Sequence, residues 1–126
     1  MRNILWLQEI TADSRREVGE KAFNLAQIAR AGIAVPAAFC IASSAFEESL
    51  IANDLVGYAT GLLAARDGEL AAGASRLQKA VRCIRLTPAL HADILSAYRA
   101  LASGQHESMI PVAVRSSASG EDQPGA

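Results

Sequence analysis

The order of apolar segments along the chain predicts an α+β or α/β fold. Three short apolar runs indicate strands, and the segments between them carry apolar residues every three or four positions, as amphipathic helices do. Alanine supplies 26 of the 126 residues, which favours helices but leaves thin side-chain packing. A chain of this length supports one domain with a single core.

The first third of the chain predicts strand, helix and strand in turn. Residues 4–7 form an apolar run that indicates the first strand. A helix is predicted to begin near residues 19–21, with an apolar face of Ala22, Leu25, Ile28 and Ala29. Gly32 stands where a left-handed helix cap is expected, and Pro36 prevents the helix from continuing. Residues 39–41 then predict a compact buried strand.

Helices are predicted for most of the remaining chain. Ser44 and Glu47 fit a capping box, ahead of an inner face formed by Phe46, Leu50 and Ile51. Residues 53–73 predict helical pieces joined by loose turns, and the amphipathic helix that follows carries Leu70, Ala74, Leu77, Val81 and Ile84 on one face. Thr87 and Pro88 predict the start of a last helix, whose buried stripe comprises Leu90, Ile94, Leu95, Tyr98 and Leu101.

Composition and charge exclude several classes of function. The formal net charge is −1 and the sequence pI is about 6.1, so no nucleic-acid partner is expected. No apolar run approaches the roughly 20 residues of a membrane span, and the amino terminus lacks a signal-peptide pattern. Cys40 and Cys83 lie in apolar runs and are predicted to be free, buried thiols. We therefore expect a cytoplasmic protein without a membrane partner.

Residues 18–21, at the predicted helix start, are the first candidate binding site. A helix N-terminus offers unpaired N–H groups and a positive dipole end, which suit an anion. Lys21 adds a point charge there. The alternative is a solvated surface lysine balanced by Glu17 and Glu20. On these residues alone the alternative is favoured, since one Gly-x-Lys is a weak signal and no Walker pattern is present.

Arg115 is the second candidate. Residues 110–114 are the clearest predicted strand of the chain, and they run straight into Arg115 and a loop of small and hydroxyl residues. An arginine at a strand end can clamp phosphate oxygens with two parallel hydrogen bonds. A structural ion pair with Glu121 or Asp122 is an equally good explanation from the spacing alone.

Three segments, residues 19–28, 31–41 and 112–124, resemble in chain order motifs of the phosphoenolpyruvate synthase and pyruvate phosphate dikinase family. Residues 19–28, GEKAFNLAQI, are similar to its GGKxxNLGE(L/M) element. Residues 31–41, AGIAVPAAFCI, are similar to its G(I/F)xVPxGF segment. Residues 112–124 resemble its VRSSAxxEDxP signature. Each motif is modest by itself, whereas three in order at family-like distances are specific, and together they span essentially the whole chain.

The resemblance implies a fold and a chemistry. The implied fold is the N-terminal subdomain of an ATP-grasp-like nucleotide-binding domain, an α+β (α/β) structure with a mixed sheet and several helices. The implied activity is that of an ATP-dependent phosphotransferase, a kinase that passes a phosphoryl group to a histidine on another domain and then to pyruvate. By position, Lys21 and Arg115 would contact the ATP phosphates. Residues 7–10 and 39–40 also resemble the rifampin phosphotransferase branch, in which rifampin is the acceptor.

Departures from the family pattern set the remaining expectations. Glu20 replaces a glycine, which places a negative charge beside Lys21, and Ala26 and Ala38 replace further glycines. The family pattern continues past Pro124 and this chain ends at Ala126, so we expect residues 1–126 to be a partial domain, inactive alone. The Mg²⁺ ligands, the catalytic histidine and the acceptor site are expected outside it, and self-association through exposed apolar surface is expected. The alternative is a non-catalytic binding or interaction module that reuses the fold.

Overall fold

A computed structural model describes residues 2–64 and 67–117 as a helix-rich α+β structure. Its elements in chain order are β1 (Ile4–Trp6), a 3-10 turn (Leu7–Glu9), α1 (Arg15–Arg30), β2 (Phe39–Ile41), α2 (Ser43–Ala52), α3 (Val56–Leu63), α4 (Asp67–Arg82) and α5 (Pro88–Ser103). The α+β class predicted from the sequence is therefore confirmed. None of the helices in the described ranges is long and apolar enough to cross a membrane.

The sheet differs from the predicted mixed sheet. Within the described residues it is a two-stranded antiparallel pair, in which Leu5 of β1 lies opposite Cys40 of β2. The strand predicted over residues 110–114 does not form there. A strand exists only where a second backbone accepts and donates its hydrogen bonds, and the described part of the chain supplies none to this segment. Val112 and Val114 are consequently 48% and 91% exposed.

One residue of the predicted third strand is nevertheless held firmly. The Ile110 amide donates to the Tyr98 hydroxyl over 3.0 Å, and that hydroxyl donates to the Ile110 carbonyl over 2.8 Å. Ile110 is buried with Leu101 and Ala102 of α5 in a small cluster, against which Trp6 packs. The segment that leads to residues 115–117 is therefore anchored at its start by α5.

Helix α1 begins at Arg15, ahead of the start predicted near residues 19–21, and glycines lie at a break inside it and at its C-terminal end. Gly19, with φ 78° and ψ 171°, interrupts the helix, so that its second segment begins at residue 20. At the other end Gly32 has φ 83°. The Gly32 amide donates to the Ala29 carbonyl and the Ile33 amide to the Ile28 carbonyl, over 3.1 and 3.3 Å. These are the two hydrogen bonds of a Schellman motif, which confirms the left-handed cap.

The main core lies between β1, the 3-10 turn and α1. Its buried members are Leu5, Leu7, Ile10, Val18, Ala22, Ala26 and Ala42. Three of the seven are alanines, so the helix backbone approaches the strands closely and little side-chain volume is buried. Trp6 and Phe39 form an edge-on aromatic pair with ring centroids 5.5 Å apart and pack against the α5 cluster.

Helix α2 begins and packs differently from the prediction. Its N-cap is Ala42, whose amide donates to the Asn3 carbonyl over 2.9 Å. This bond holds Ala42 in extended conformation beside β1, so the helix begins at Ser43 and the capping box predicted for Ser44 is wrong. Ala45 and Ser49 form its buried side, whereas the predicted inner residues Phe46 and Ile51 are 50% and 63% exposed.

The later helices follow the sequence pattern more closely. The Thr87 hydroxyl accepts the Leu90 amide hydrogen over 3.2 Å, which confirms the predicted start of α5. Leu90 and Leu101 of its predicted stripe are buried, whereas Leu95 is 39% exposed. Helices α3 and α4 confirm the helical pieces expected from 53 to 73, but Leu70 on the predicted apolar face of α4 is 42% exposed.

Much apolar surface is exposed across the described residues. The large apolar side chains concerned are Ile28, Ile33, Ile41, Phe46, Ile51, Val56, Tyr58, Leu63, Leu70, Leu86, Leu95, Met109, Val112 and Val114. Self-association through this surface stays a prediction. Cys40 and Cys83 are free cysteines. Cys40 is half-buried, which raises the pKa of its thiol, whereas Cys83 is exposed rather than buried as predicted.

Candidate functional site

The two segments singled out in the sequence meet in the structure. The amide of Ala22, in the first turn of the second segment of α1, donates to the Ser117 hydroxyl over 3.3 Å. These residues are 95 positions apart in the chain. We call the contact between residues 19–22 and residues 115–117 the helix–loop junction. It joins the segment that carries Lys21 to the one that carries Arg115.

The Ser117 hydroxyl acts as a helix cap supplied from a distance. An N-cap side chain normally accepts the amide hydrogen of the second or third helical residue. Gly19 occupies the N-cap position of the second segment and has no side chain to do so. Ser117 makes that bond at Ala22 instead. The junction is therefore held by a hydrogen bond that an ordinary helix would make locally.

Gly19 is required at the junction for two separate reasons. Its φ of 78° with ψ of 171° lies in a region that essentially only glycine occupies. In addition, a Cβ placed on it would stand 2.6 Å from Ser117 Oγ, 2.7 Å from the Ser117 carbonyl carbon and 2.8 Å from its oxygen. The loop thus reaches the helix start only because residue 19 has no side chain.

Lys21 and Arg115 are both exposed, and each lies close in sequence to one partner of this contact. Lys21 directly precedes Ala22, and Arg115 lies two residues before Ser117. The junction therefore combines a helix N-terminus with two cationic residues, an arrangement suited to a phosphate anion. Glu121 and Asp122, the alternative partners of Arg115, lie outside the described residues together with Ala118 and Pro124.

Sequence reasoning missed the partner of Glu20. Arg15 donates from Nε to Glu20 Oε1 over 2.8 Å and from Nη2 to Oε2 over 2.7 Å, so both carboxylate oxygens are engaged. The Glu20 side chain is 11% exposed and that of Arg15 is 51% exposed. The hydrogen bond and charge of Glu20 raise the pKa of the Arg15 guanidinium. Glu20 is thus paired with Arg15, a partner that the sequence spacing did not indicate.

The Gly19 break explains why this pair was missed. Residues five apart in a continuous helix do not face each other, whereas those three or four apart do. The non-helical backbone at Gly19 redirects the chain and brings residue 15 against residue 20. The guanidinium carbon of Arg15 also lies 5.2 Å from the centre of the Phe23 ring, a cation–π contact that orients it.

The described ranges contain no group of three or more His, Cys, Asp or Glu side chains placed to hold a metal ion. The carboxylate nearest the junction in sequence, Glu20, has both oxygens bound to Arg15. Within the described residues, the carboxylate of Glu20 is therefore engaged by a guanidinium and is not placed with other acidic side chains as a metal ligand.

Comparison with known proteins identifies the family of the chain. Residues 15–126 match the family model described as pyruvate phosphate dikinase, AMP/ATP-binding domain. The chain belongs to this family. The match contains the complete helix–loop junction, with Lys21 and Arg115 inside its bounds. Nucleotide binding is the property named in the description of the matched domain.

Curated relatives resemble the chain over nearly its whole length. A phosphoenolpyruvate synthase of Aeropyrum pernix is 34% identical over 99% of this chain. A probable phosphoenolpyruvate synthase of Staphylothermus marinus is 33% identical over 99%, and a phosphoenolpyruvate synthase of Neisseria meningitidis is 31% identical over 98%. The chain spans 16% of the length of each of these relatives. They support the phosphoenolpyruvate synthase and pyruvate phosphate dikinase family predicted from the three motifs.

Proposed function

We propose that this chain supplies the N-terminal part of the ATP-binding site of a phosphoenolpyruvate synthase-like phosphotransferase. The observation that carries the proposal is the helix–loop junction, where the Ser117 hydroxyl caps the helix that bears Lys21. A nucleotide-binding family and two cationic residues beside a helix N-terminus favour the same ligand, the phosphates of ATP.

In this proposal Lys21 and Arg115 have distinct tasks. The Lys21 ammonium is a compact point charge at the positive end of a helix, and it attracts the phosphate chain. The planar guanidinium of Arg115 can donate two parallel hydrogen bonds to one phosphate group and so fix its orientation. As the terminal phosphoryl group is transferred, charge spreads over its oxygens, and fixed cations stabilise that charge.

The remainder of the reaction requires residues outside those described. We infer that residues 1–126 form part of an ATP-grasp-like domain, and that a histidine on another domain accepts the phosphoryl group and passes it to pyruvate. Pyruvate is favoured over rifampin as the acceptor because the relatives described above carry the name phosphoenolpyruvate synthase. Mg²⁺ would neutralise phosphate charge.

The alternative of a non-catalytic module is supported by Glu20, whose carboxylate would repel a phosphate bound at Lys21, and by the alanines that replace family glycines at positions 26 and 38. Because Arg15 binds both oxygens of that carboxylate, the repulsion is offset within the chain. We therefore place the nucleotide-binding role ahead of the interaction-module alternative.

Calorimetric titration of the full chain with Mg·ATP tests the proposal. Lys21→Ala and Arg115→Ala should each weaken binding about tenfold, the loss expected for a hydrogen bond to a charged group. Lys79→Ala in α4 and Arg99→Ala in α5 are matched controls, because both residues are exposed and lie on other helices. They should leave the affinity unchanged. Failure of the wild-type chain to bind millimolar ATP, or equal losses in all four variants, would contradict the proposal.

A further inference from the structure

Glu20 is a buried acid in the first turn of the helix that the proposed phosphate site uses. It directly follows Gly19 and precedes Lys21, and its side chain is only 11% exposed. A carboxylate at a helix N-terminus stabilises the helix through the dipole. The same positive end is the one that would attract a phosphate, so a bare carboxylate there opposes binding of a second anion.

Arg15 offsets that carboxylate in a defined geometry. Its guanidinium makes two parallel hydrogen bonds of 2.8 and 2.7 Å to Glu20 and stacks over the Phe23 ring. A carboxylate paired with a guanidinium contributes little net charge to its surroundings. The negative charge of an unpaired carboxylate in a poorly solvated position is uncompensated and repels a nearby anion. The Arg15–Glu20 pair is therefore an electrostatic element of the helix start as well as a packing element.

We propose that Arg15 is a positioning residue for nucleotide binding, which acts through Glu20. By holding the carboxylate in a neutral pair, Arg15 lets the helix–loop junction accept phosphate charge beside Lys21. The proposal rests on the function proposed above and deepens it, because it assigns a role to a residue outside the two cationic positions. It also explains how an acidic residue is accommodated where the family motif has glycine.

A double-mutant cycle separates this role from a purely structural one. Arg15→Met in the full chain leaves Glu20 unpaired, and we expect its affinity for Mg·ATP to fall at least about fivefold, the effect of one unit charge about 4 Å away in bulk water. Adding Glu20→Gln removes the carboxylate. The affinity of the double variant for Mg·ATP should therefore lie within about twofold of the wild-type affinity. Because removing an unpaired buried carboxylate also restores stability, the rescue of affinity counts only where both variants are shown to be folded.

Two further measurements identify the effect as electrostatic. The loss caused by Arg15→Met should be smaller for AMP than for ATP, because AMP carries fewer phosphate charges, and it should shrink as salt is raised. Arg15→Lys keeps the positive charge but cannot make the bidentate hydrogen bonds to the carboxylate. This variant should retain most of the ATP affinity. Phe23→Leu removes the stacked ring and should also leave binding near the wild-type value.

Folding is monitored in parallel by circular dichroism and urea denaturation, since a buried unpaired carboxylate destabilises proteins. If Arg15→Met does not fold, the comparison of Arg15→Lys, Glu20→Gln and the wild type carries the test, and all three should bind ATP with similar affinity. An Arg15→Lys loss that matches Lys21→Ala, or a double variant that binds as weakly as Arg15→Met, overturns the inference alone. Absence of ATP binding by the wild-type chain overturns the proposed function and this inference together.

Discussion

Replacement of Gly19 by alanine perturbs the helix–loop junction at its closest point. The added Cβ would lie 2.6 Å from Ser117 Oγ and within 2.8 Å of two backbone atoms of the same residue. The Ser117 hydroxyl can rotate away from the added Cβ. Its carbonyl carbon and oxygen belong to the backbone, so they can move only if the loop is displaced from the helix. The backbone at residue 19, with φ 78° and ψ 171°, also disfavours any side chain.

The loss of stability expected for Gly19→Ala has two contributions, the strained backbone and the displacement of Ser117. Holding alanine in this backbone conformation costs on the order of 1–3 kcal/mol. Displacement of Ser117 also removes the cap on the Ala22 amide, which is worth about 1 kcal/mol. The expected loss in the free energy of unfolding is therefore about 2–4 kcal/mol, a large part of the roughly 5–15 kcal/mol that stabilises a typical domain.

Gly32→Ala is the matched control, because this position separates strain from the steric contact. Gly32 has φ 83°, yet nothing lies within 4 Å of a Cβ placed on it. Its replacement should cost about 1 kcal/mol, the penalty of a left-handed backbone alone. Urea denaturation, monitored by circular dichroism, gives the free energy of unfolding of both variants. The comparison is valid when that free energy has the same dependence on urea concentration in each. Equal losses in the two variants would refute the steric reasoning, as would an unchanged ATP affinity in Gly19→Ala.

Two further variants test the contacts around this site and the N-terminal segment. Ser117→Ala should lower the free energy of unfolding by about 1 kcal/mol in the same urea assay, since it removes the cap without a clash, and a neutral result would contradict the capping role. The pKa of Glu9 is lowered because the Trp6 amide donates to its carboxylate and because of its hydrogen bond with Arg2. A carboxyl whose folded pKa is depressed contributes stability above its unfolded value, about 4.5, and loses it as the pH falls through the folded pKa. The urea midpoint should fall over that acidic range, and Glu9→Gln should flatten the decline whereas Glu48→Gln, on exposed α2 surface, should not.

The predictions that succeeded rest on local chemistry. Gly32 ends α1 because it alone tolerates the left-handed backbone, and Thr87 begins α5 because its hydroxyl reaches an amide three residues on. Gly19 marks the start of the helix that carries Lys21 for a similar reason. Each of these signals depends on residues within one or two helical turns, so the sequence contains all the information that they need.

The predictions that failed depend on a distant partner. Residues 110–114 have the pattern of a strand, but a strand requires another backbone beside it, and the described residues provide none there. Phe46 and Ile51 are apolar and regularly spaced, yet Ala45 and Ser49 are the residues that α2 buries. The spacing of apolar residues predicts a helix without determining which face meets the core.

The sequence by itself determined the family, the C-terminal cap of α1 at Gly32 and the start of α5 at Thr87, because motifs and caps are short-range features. Only the tertiary structure decided that the two motifs meet, since the hydrogen bond from the Ala22 amide to Ser117 spans 95 residues and depends on the missing side chain of Gly19. The pairing of Arg15 with Glu20 was likewise decided in three dimensions. A break in the helix brought together two charges that helical spacing keeps apart.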